Sequence, residues 1–440
     1  MKFLLPRGMR DLEPEEFENI NFIRNTFIES ARIFNFTIME PSPLELLSTL
    51  ESKSGPAIIK EIYNFTDKGN REVALRFDIT IGLTRYFASR RDLKIPAKIA
   101  SFGGVWRYDE PQAGRYRFFH QWDIEIYGPS CIEADTEIIE FTSVFLNKLG
   151  LKNIVIEISS RSLLEEYVQR ILKISNKDII FEIYRAIDKI PKKGKIEVLK
   201  EYENKISTEI LLKIMEFADN KGSFDQVDKT LKPLGLSAWN EIEKIIKSLY
   251  NKGVVNVRIN LGIVRGLDYY SGIVFEAVDI NNNFGAIVGG GRYDNLPEIF
   301  GRRDAGATGA AGGVERIILA LKNQDILSKR AHDDRKNVTS IIYNSHELFG
   351  YAEHLASVLR RKDIPTEYDL LKRSFSKQIT EAENRKSKNI IILKKDEIEK
   401  RGEIILKNTL QNKYTKIKAD ENFNELVKEL SQSDNDKMVN

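Results

Sequence analysis

A row of polar side chains sits where a strand should be. In Arg117-Phe118-Phe119-His120-Gln121-Trp122-Asp123-Ile124-Glu125, apolar and polar residues interleave. Side chains on a strand alternate faces, so Gln121, Asp123 and Glu125 share one face, while His120, Trp122 and Ile124 share the other. Upstream, Phe102-Gly103-Gly104-Val105-Trp106-Arg107-Tyr108-Asp109-Glu110 offers Arg107 to the same cleft. An arginine facing a Gln/Asp/Glu row suits a substrate carrying both signs of charge. Guanidinium holds phosphate or carboxylate, and the acids hold ammonium or imidazole. The competing reading is a solvated sheet face with cross-strand ion pairs.

Three further segments could carry chemistry. In Val264-Arg265-Gly266-Leu267-Asp268-Tyr269-Tyr270-Ser271-Gly272, glycines bracket an Arg/Asp/Tyr-Tyr cluster. Glycine permits close approach and tyrosine gives an aromatic wall with a polar tip, which suits a small planar ring. A decorated turn is the plainer alternative. Gly289-Gly290-Gly291 beside Arg292 either cradles phosphate or marks a tight β-bend. It matches neither the dinucleotide fingerprint nor Walker A, so ATP, if bound, sits on another scaffold. Gly312-Gly313-Val314-Glu315-Arg316 opens a helix, where arginine has the wrong sign for the helix dipole and hints at an anionic ligand.

Elements must position these residues. Glu15–Phe34 reads as an amphipathic helix, and Thr37–Pro43 as a strand stopped by prolines. Residues 97–108 and 118–127 read as two strands of a hairpin, with a polar loop over 109–115. From about Ser160 to Lys252 the pattern is helical, with Ser162 and Glu165 as a capping box. It contains no catalytic-looking cluster and reads as an insertion. Strands return at Asn256–Gly262 and Ile273–Ile280. A charged linker over Ser328–Lys336 precedes a small α/β unit. In that unit Val338–Tyr343 and Asn389–Leu393 are strands, and 345–362 and 374–386 are helices, which implies a partly parallel sheet. The tail after Ser431 reads as frayed.

The chain has 440 residues, 42% of them hydrophobic and 30% charged, which indicates several globular domains. No apolar run approaches a membrane span. The N-terminus does not read as a signal peptide, so a cytoplasmic location is expected. One cysteine, Cys131, excludes an intramolecular disulfide and argues against Cys-based zinc sites. His120, His332, His346 and His354 form no metal pattern. A net charge of +3 neither demands nor excludes nucleic acid.

Taken together, these segments resemble the histidine-specific class II aminoacyl-tRNA synthetases. Arg7-Gly8-Met9-Arg10-Asp11 with Pro14-Glu15-Glu16 is similar to their N-terminal signature, and Arg265-Gly266-Leu267-Asp268-Tyr269-Tyr270 to their histidine motif. Motif 1 resembles the helix and strand ending near Pro41. Motif 2 resembles Val105–Asp109 through Gln121 and Glu125, and motif 3 resembles Gly312–Arg316. The resemblance spans about residues 5–325, and the C-terminal unit fits the family's anticodon-binding module. It implies an α+β catalytic domain on an antiparallel sheet, divided into 1–160 and 251–328. A helical insertion would occupy 161–250 and an α/β anticodon-binding domain 336–432.

The implied enzyme activates L-histidine with ATP and Mg²⁺, then loads it onto tRNA(His) as a cytoplasmic homodimer. The resemblance implies that Arg107 contacts the histidine carboxylate and the α-phosphate, and that Arg316 holds the far end of ATP. Asp78, Thr80 and Gln121 would bind the α-amino group, Glu125 and Tyr270 the imidazole, and Tyr269 would also belong to the histidine site. Arg265 would stabilise charge during adenylate formation, while Gln112 and Arg115 meet the acceptor stem. No magnesium ligand is assigned. Phe77-Asp78 stands where the bacterial pattern has Pro-Glu, which keeps an acid. Two rivals share the fold: a regulatory paralogue of histidine biosynthesis and a non-catalytic tRNA-binding scaffold. The first typically lacks the C-terminal domain and the tyrosine motif, both present here. The intact Arg107, Arg265 and Arg316 argue against the second.

Overall fold

The computed structural model describes residues 4–108, 110, 116–263, 270–282, 285–328, 338–420 and 422–435. It divides into two compact units, Met1–Gln324 and Asp325–Asn440. That break falls just before the linker expected from the sequence, most of which lies outside the described residues.

The first unit opens with α1 (Pro14–Ile33). Its proline occupies the first turn, where no N–H is needed, and Glu15 and Glu16 suit the positive helix end. The apolar spacing of α1 predicts a face shared with a second subunit. Instead Ile20, Ile23 and Phe27 are buried in the chain's own core. The Phe27 ring meets Phe102, Trp122, Phe141 and Phe145, with centroids no more than 6.1 Å apart. The expected strand Thr37–Pro43 shrinks to β1 (Thr37–Ile38), because the prolines beyond it cannot donate to a ladder.

A three-stranded sheet follows, from β2 (Leu44–Leu46), β3 (Asn64–Thr66) and β4 (Glu72–Leu75). In the chain α2 (Leu47–Ser54) lies between β2 and β3, and α3 (Thr80–Ser89) follows β4. The main sheet contains β1, β5 (Ala97–Trp106), β6 (Phe118–Gly128) and β7 (Ile154–Ser160). It also contains β8 (Lys221–Gly222), β9 (Val257–Asn260), β10 (Ile273–Asp279), β11 (Val288–Arg292) and β12 (Gly306–Gly313). Its order is β1-β5-β6-β12-β11-β10-β7-β9-β8. The pairings are antiparallel except β1·β5 and β7·β9. Between β6 and β7 runs α4 (Ile132–Lys148), and Trp122 on the helix-facing side of β6 packs on its Phe141 and Phe145. The alternation read from the sequence is therefore real: Trp122 and Ile124 face the helices, and Gln121, Asp123 and Glu125 face the other way.

Between β7 and β9 the chain is helical, as expected: α5 (Arg161–Glu166), α6 (Lys177–Lys193), α7 (Lys195–Tyr202), α8 (Thr208–Ala218), α9 (Phe224–Leu231) and α10 (Ser237–Asn251). The cap of α5 differs from expectation. Ser160, not Ser162, accepts the Leu163 N–H at 3.2 Å, because β7 runs straight into the helix and leaves Ser160 in extended backbone. The helical segment is riveted to the sheet at buried Glu157, which accepts Asn260 Nδ2 at 2.5 Å and pairs with Lys221 at 2.8 Å and with Arg258. Burial alone would raise the Glu157 carboxyl, but Lys221, Asn260 and Arg258 hold it below the ordinary range. Two elements complete the unit, α11 (Asn295–Ile299) and α12 (Val314–Asn323).

The second unit is a five-stranded sheet of order β14-β13-β15-β16-β17. Its strands are β13 (Thr339–Tyr343), β14 (Thr366–Tyr368), β15 (Asn389–Leu393), β16 (Glu403–Asn408) and β17 (Lys413–Lys418). β13 runs parallel to β14 and β15, and the remaining pairs are antiparallel. Ile341, Ile391 and Leu406 pack on Ala352, Leu355 and Leu359 of the helix Phe349–Arg360. The chain stays helical past Ser431, in a helix over Asn424–Asn435 anchored by buried Leu426 and Leu430; the rest of the tail lies outside the described residues. Among the described residues no helix is long and apolar enough to cross a membrane.

Candidate active site

One cavity of about 610 Å³ opens on the polar face of the main sheet. That is ample for a nucleotide and a small amino acid. Seven of the side chains singled out in the sequence line it: Asp78, Thr80, Arg107, Gln121, Glu125, Tyr270 and Arg316. Arg265, Tyr269, Gln112 and Arg115 lie outside the described residues.

β6 supplies Gln121 and Glu125, both buried. Beside them β12 is the glycine- and alanine-rich Gly306–Gly313. A Cβ at Gly309 would overlap the Glu125 carboxylate, so glycine is what lets that acid lie against the strand. The glycines 289–291 do not form a bend. They are the central strand β11, whose Gly289 and Gly290 line the cavity.

Thr80 begins α3 and donates its hydroxyl to Asp123 at 2.9 Å, and Gln121 Nε2 donates to the same Asp123 oxygen at 3.3 Å. Asp78 accepts the Ile81 N–H at 3.1 Å, which ties it to the start of α3. Asp123 thus orients two of the three groups expected to bind an amino group. Its alternation with Gln121 and Glu125 pointed to this face, but spacing alone gave it no role. The acidic end is felt by Tyr127, whose phenol is raised well above its ordinary value by burial first and by Glu125 next.

Arg107 follows β5. Its Nε donates to the Phe77 carbonyl at 3.0 Å, and its guanidinium lies 5.0 Å from the Phe119 ring centroid. Arg316 stands in the first turn of α12 and donates to the Ala286 carbonyl at 2.7 Å. Before it, buried Glu315 accepts the His120 N–H at 3.0 Å and lies 3.5 Å from Arg10. Arg10 also pairs with Glu16, donates to the Phe118 carbonyl at 3.2 Å and sits 3.5 Å above the Tyr116 ring. Burial works against the Arg10 charge, yet Glu16 and then Glu315 raise its pKa above the ordinary arginine value. The N-terminal signature is therefore a brace joining α1, the start of β6 and the start of α12. Glu16 belongs to that signature, but Phe118 and Glu315 lie more than a hundred residues away, which spacing could not show.

Asp188 of α6 and Glu276 of β10 also line the cavity. Neither stood out in the sequence, because each sits in a segment without a motif. Among the described residues no group of three or more His, Cys, Asp or Glu could hold a metal ion.

Comparison with known proteins follows the same division of the chain. The family model described as histidyl-tRNA synthetase matches residues 8–317, and that described as anticodon binding domain matches 338–431. A histidine–tRNA ligase of Pyrococcus furiosus is 32% identical, over 94% of this chain and 96% of the relative. One from Thermoplasma volcanium is 32% identical over 85% and 86% respectively. The crystal structure of histidyl-tRNA synthetase from Nostoc sp. PCC 7120 superposes with a TM-score of 0.82. It shares 25% identity and covers 98% of this chain and all of that one. An arginine-bearing cleft on a sheet of this order, in a chain matched nearly end to end by such relatives, has one meaning: the chain belongs to the histidyl-tRNA synthetase family.

Proposed function

We propose that histidine and ATP meet in the cavity between Arg107, Glu125 and Arg316, and that the chain carries out the family's reaction there. A histidine carboxylate oxygen attacks the α-phosphorus, the bond to the bridging oxygen breaks, and pyrophosphate leaves with that electron pair. Histidyl-adenylate then passes its acyl group to the terminal ribose of tRNA(His), releasing AMP. The observation that carries this reading is the gathering of seven separately chosen residues into one cavity.

Both reactants are anionic, so neutralising charge and aligning the reacting atoms is the main task. Arg107 takes the histidine carboxylate and the α-phosphate. Arg316, pinned at α12, takes the far phosphates, and Arg265 adds positive charge at the reacting centre. Thr80 and Gln121, with Asp78, take the ammonium. Glu125 and Tyr270 take the imidazole, and Tyr269 also belongs to the histidine site. Gln112 and Arg115 meet the acceptor stem. Mg²⁺ keeps most of its water and asks for one or two carboxylates beside phosphate oxygens, which fits Glu276 on the cavity wall. When bound it would screen phosphate charge. Histidine-dependent ATP–pyrophosphate exchange together with tRNA charging tests the reading; absence of exchange would return the chain to the regulatory or scaffold alternatives.

The catalytic domain comprises 1–160 and 251–328, with 161–250 as an insertion and 336–432 as the anticodon reader. Two arginines of that reader are already committed to carboxylates. Arg373 is bound to Asp369 at 2.6 Å, and Arg385 to Glu381 at 2.7 Å and Glu367 at 2.5 Å. Recognition there falls to stacking and base-edge contacts more than to phosphate charge. A chain ended after Lys329 should keep pyrophosphate exchange within about threefold and lose most tRNA charging. Equal loss of both in a folded protein would show that the second unit belongs to the activation machinery.

The enzyme works in the cytoplasm as a homodimer. Its contact face is the apolar surface left exposed around β1 and the small sheet: Ile38, Leu44, Leu46 and Phe65. Sedimentation at micromolar concentration should give twice the 50.6 kDa chain mass, and a stable monomer would defeat the assignment.

A further inference from the structure

The helical segment between β7 and β9 reaches the cavity. Asp188 of α6 lines it, and one turn earlier on α6 Tyr184 is buried against Arg161. The Arg161 guanidinium lies 5.2 Å from the Tyr184 ring centroid and donates to the Tyr270 carbonyl at 2.7 Å. The Arg161 backbone N–H donates to the Gly272 carbonyl at 2.9 Å. One residue thus clasps both carbonyls on either side of Ser271, just where the chain leaves Tyr270 to enter β10. Tyr270 itself is almost buried, edge-on to Tyr293 with centroids 6.2 Å apart.

We propose that Arg161 is a positioning residue for histidine recognition, held in place by Tyr184, so that α6 sets the enzyme's affinity for the amino acid. Arg161 touches no reactant in this scheme. A guanidinium on a carbonyl is a charge-assisted bond with fixed direction, and it determines where the Tyr270 backbone and hence its ring stand. The Tyr184 ring face supports that cation in turn. The helical segment is then a wall of the activation site. The inference rests on Tyr270 being part of the histidine pocket.

Steady-state ATP–pyrophosphate exchange separates the possibilities. Arg161→Met, which keeps length and removes the donors, should raise the histidine KM about tenfold, a change of about 1.4 kcal/mol. The ATP KM should stay within about twofold, since the lost contact serves one substrate. Arg161→Lys should recover part of the affinity. Tyr184→Leu should move the histidine KM in the same direction, and Tyr184→Phe, which keeps the ring, should retain most of the affinity. Parallel rises in both KM values, or a histidine KM unmoved by Arg161→Met and Tyr184→Leu, would overturn the proposal. Should Arg161→Met fail to fold, Arg161→Lys and the Tyr184 pair decide it by the same split. Tyr270→Ala runs alongside. If it leaves the histidine KM unchanged, the pocket reading falls and this inference with it. If it raises the KM while the Arg161 and Tyr184 variants do not, only the relay falls.

Discussion

Arg107→Ala is expected to lower kcat for histidine-dependent ATP–pyrophosphate exchange by roughly 10²–10³-fold, the usual cost of removing one preorganised group aimed at developing charge. Arg107 does not swing in from solvent. Its Nε is tied to the Phe77 carbonyl and its plane lies near Phe119, so the side chain is held in the cavity before substrate arrives. A preorganised charge needs little rearrangement during the reaction, which is why its removal should appear in kcat as well as in KM. Arg107→Lys should recover little, because an ammonium cannot bond Phe77 and bridge two anionic groups at once with a fixed fork. The measurement is exchange at saturating histidine and ATP. A kcat within about threefold of the parent would remove Arg107 from the reacting centre.

Glu125→Ala should raise the histidine KM by roughly 10²-fold, and should cost less for an amino acid that lacks the imidazole. Glu125 is 1% exposed and lies against Gly309, so any ring nitrogen reaching it has left water behind. A buried carboxylate that loses its donor pays a desolvation cost, and this is the source of discrimination. Glu125→Gln keeps the shape and an acceptor and should fall between the two. Gly309→Ala tests the same pocket from the other side. Its methyl would overlap the carboxylate and also press on the Ile124 carbonyl of β6, so histidine affinity should fall. Normal histidine activation by Glu125→Ala would mean that the ring is recognised elsewhere.

Much of this site is written in local patterns. The alternation in β6 placed Gln121 and Glu125 on one face, because a half-polar strand has no other way to bury Trp122 and Ile124. Arg107 followed from the hairpin. What local patterns could not supply is neighbourhood. β12, as Gly306–Gly313, has one β-branched residue, Thr308, and no aromatic one to mark it as a strand, yet it lies beside β6 because small residues let Glu125 lie flat. The Arg10–Glu315 brace and the reach of Asp188 into the cavity are tertiary facts. The spacing of α1 leaves the same question open: amphipathic spacing says that a face is covered but not by whom, and Phe27 meets four aromatic rings of its own chain. The cap at Ser160 was missed because the pattern favoured a serine with a glutamate three residues on, whereas the geometry rewarded the one at the strand's end.

The order of strands in the main sheet has a consequence for how the chain is made. The neighbour of β6 on its inner side is β12, and the whole helical segment lies between them in the chain. A ribosome adding about 5–20 residues per second needs roughly ten to forty seconds to travel from Gly128 to Gly306. Throughout that interval the strand bearing Gln121 and Glu125 has one unpaired edge, a template for stray strands in a crowded cell. Charged and polar groups along β6 give some protection, and β5 closes its other side early. The half-made enzyme is thus the state most exposed to aggregation, and substitutions that delay β12 should reduce yield during synthesis even where the finished protein tolerates them.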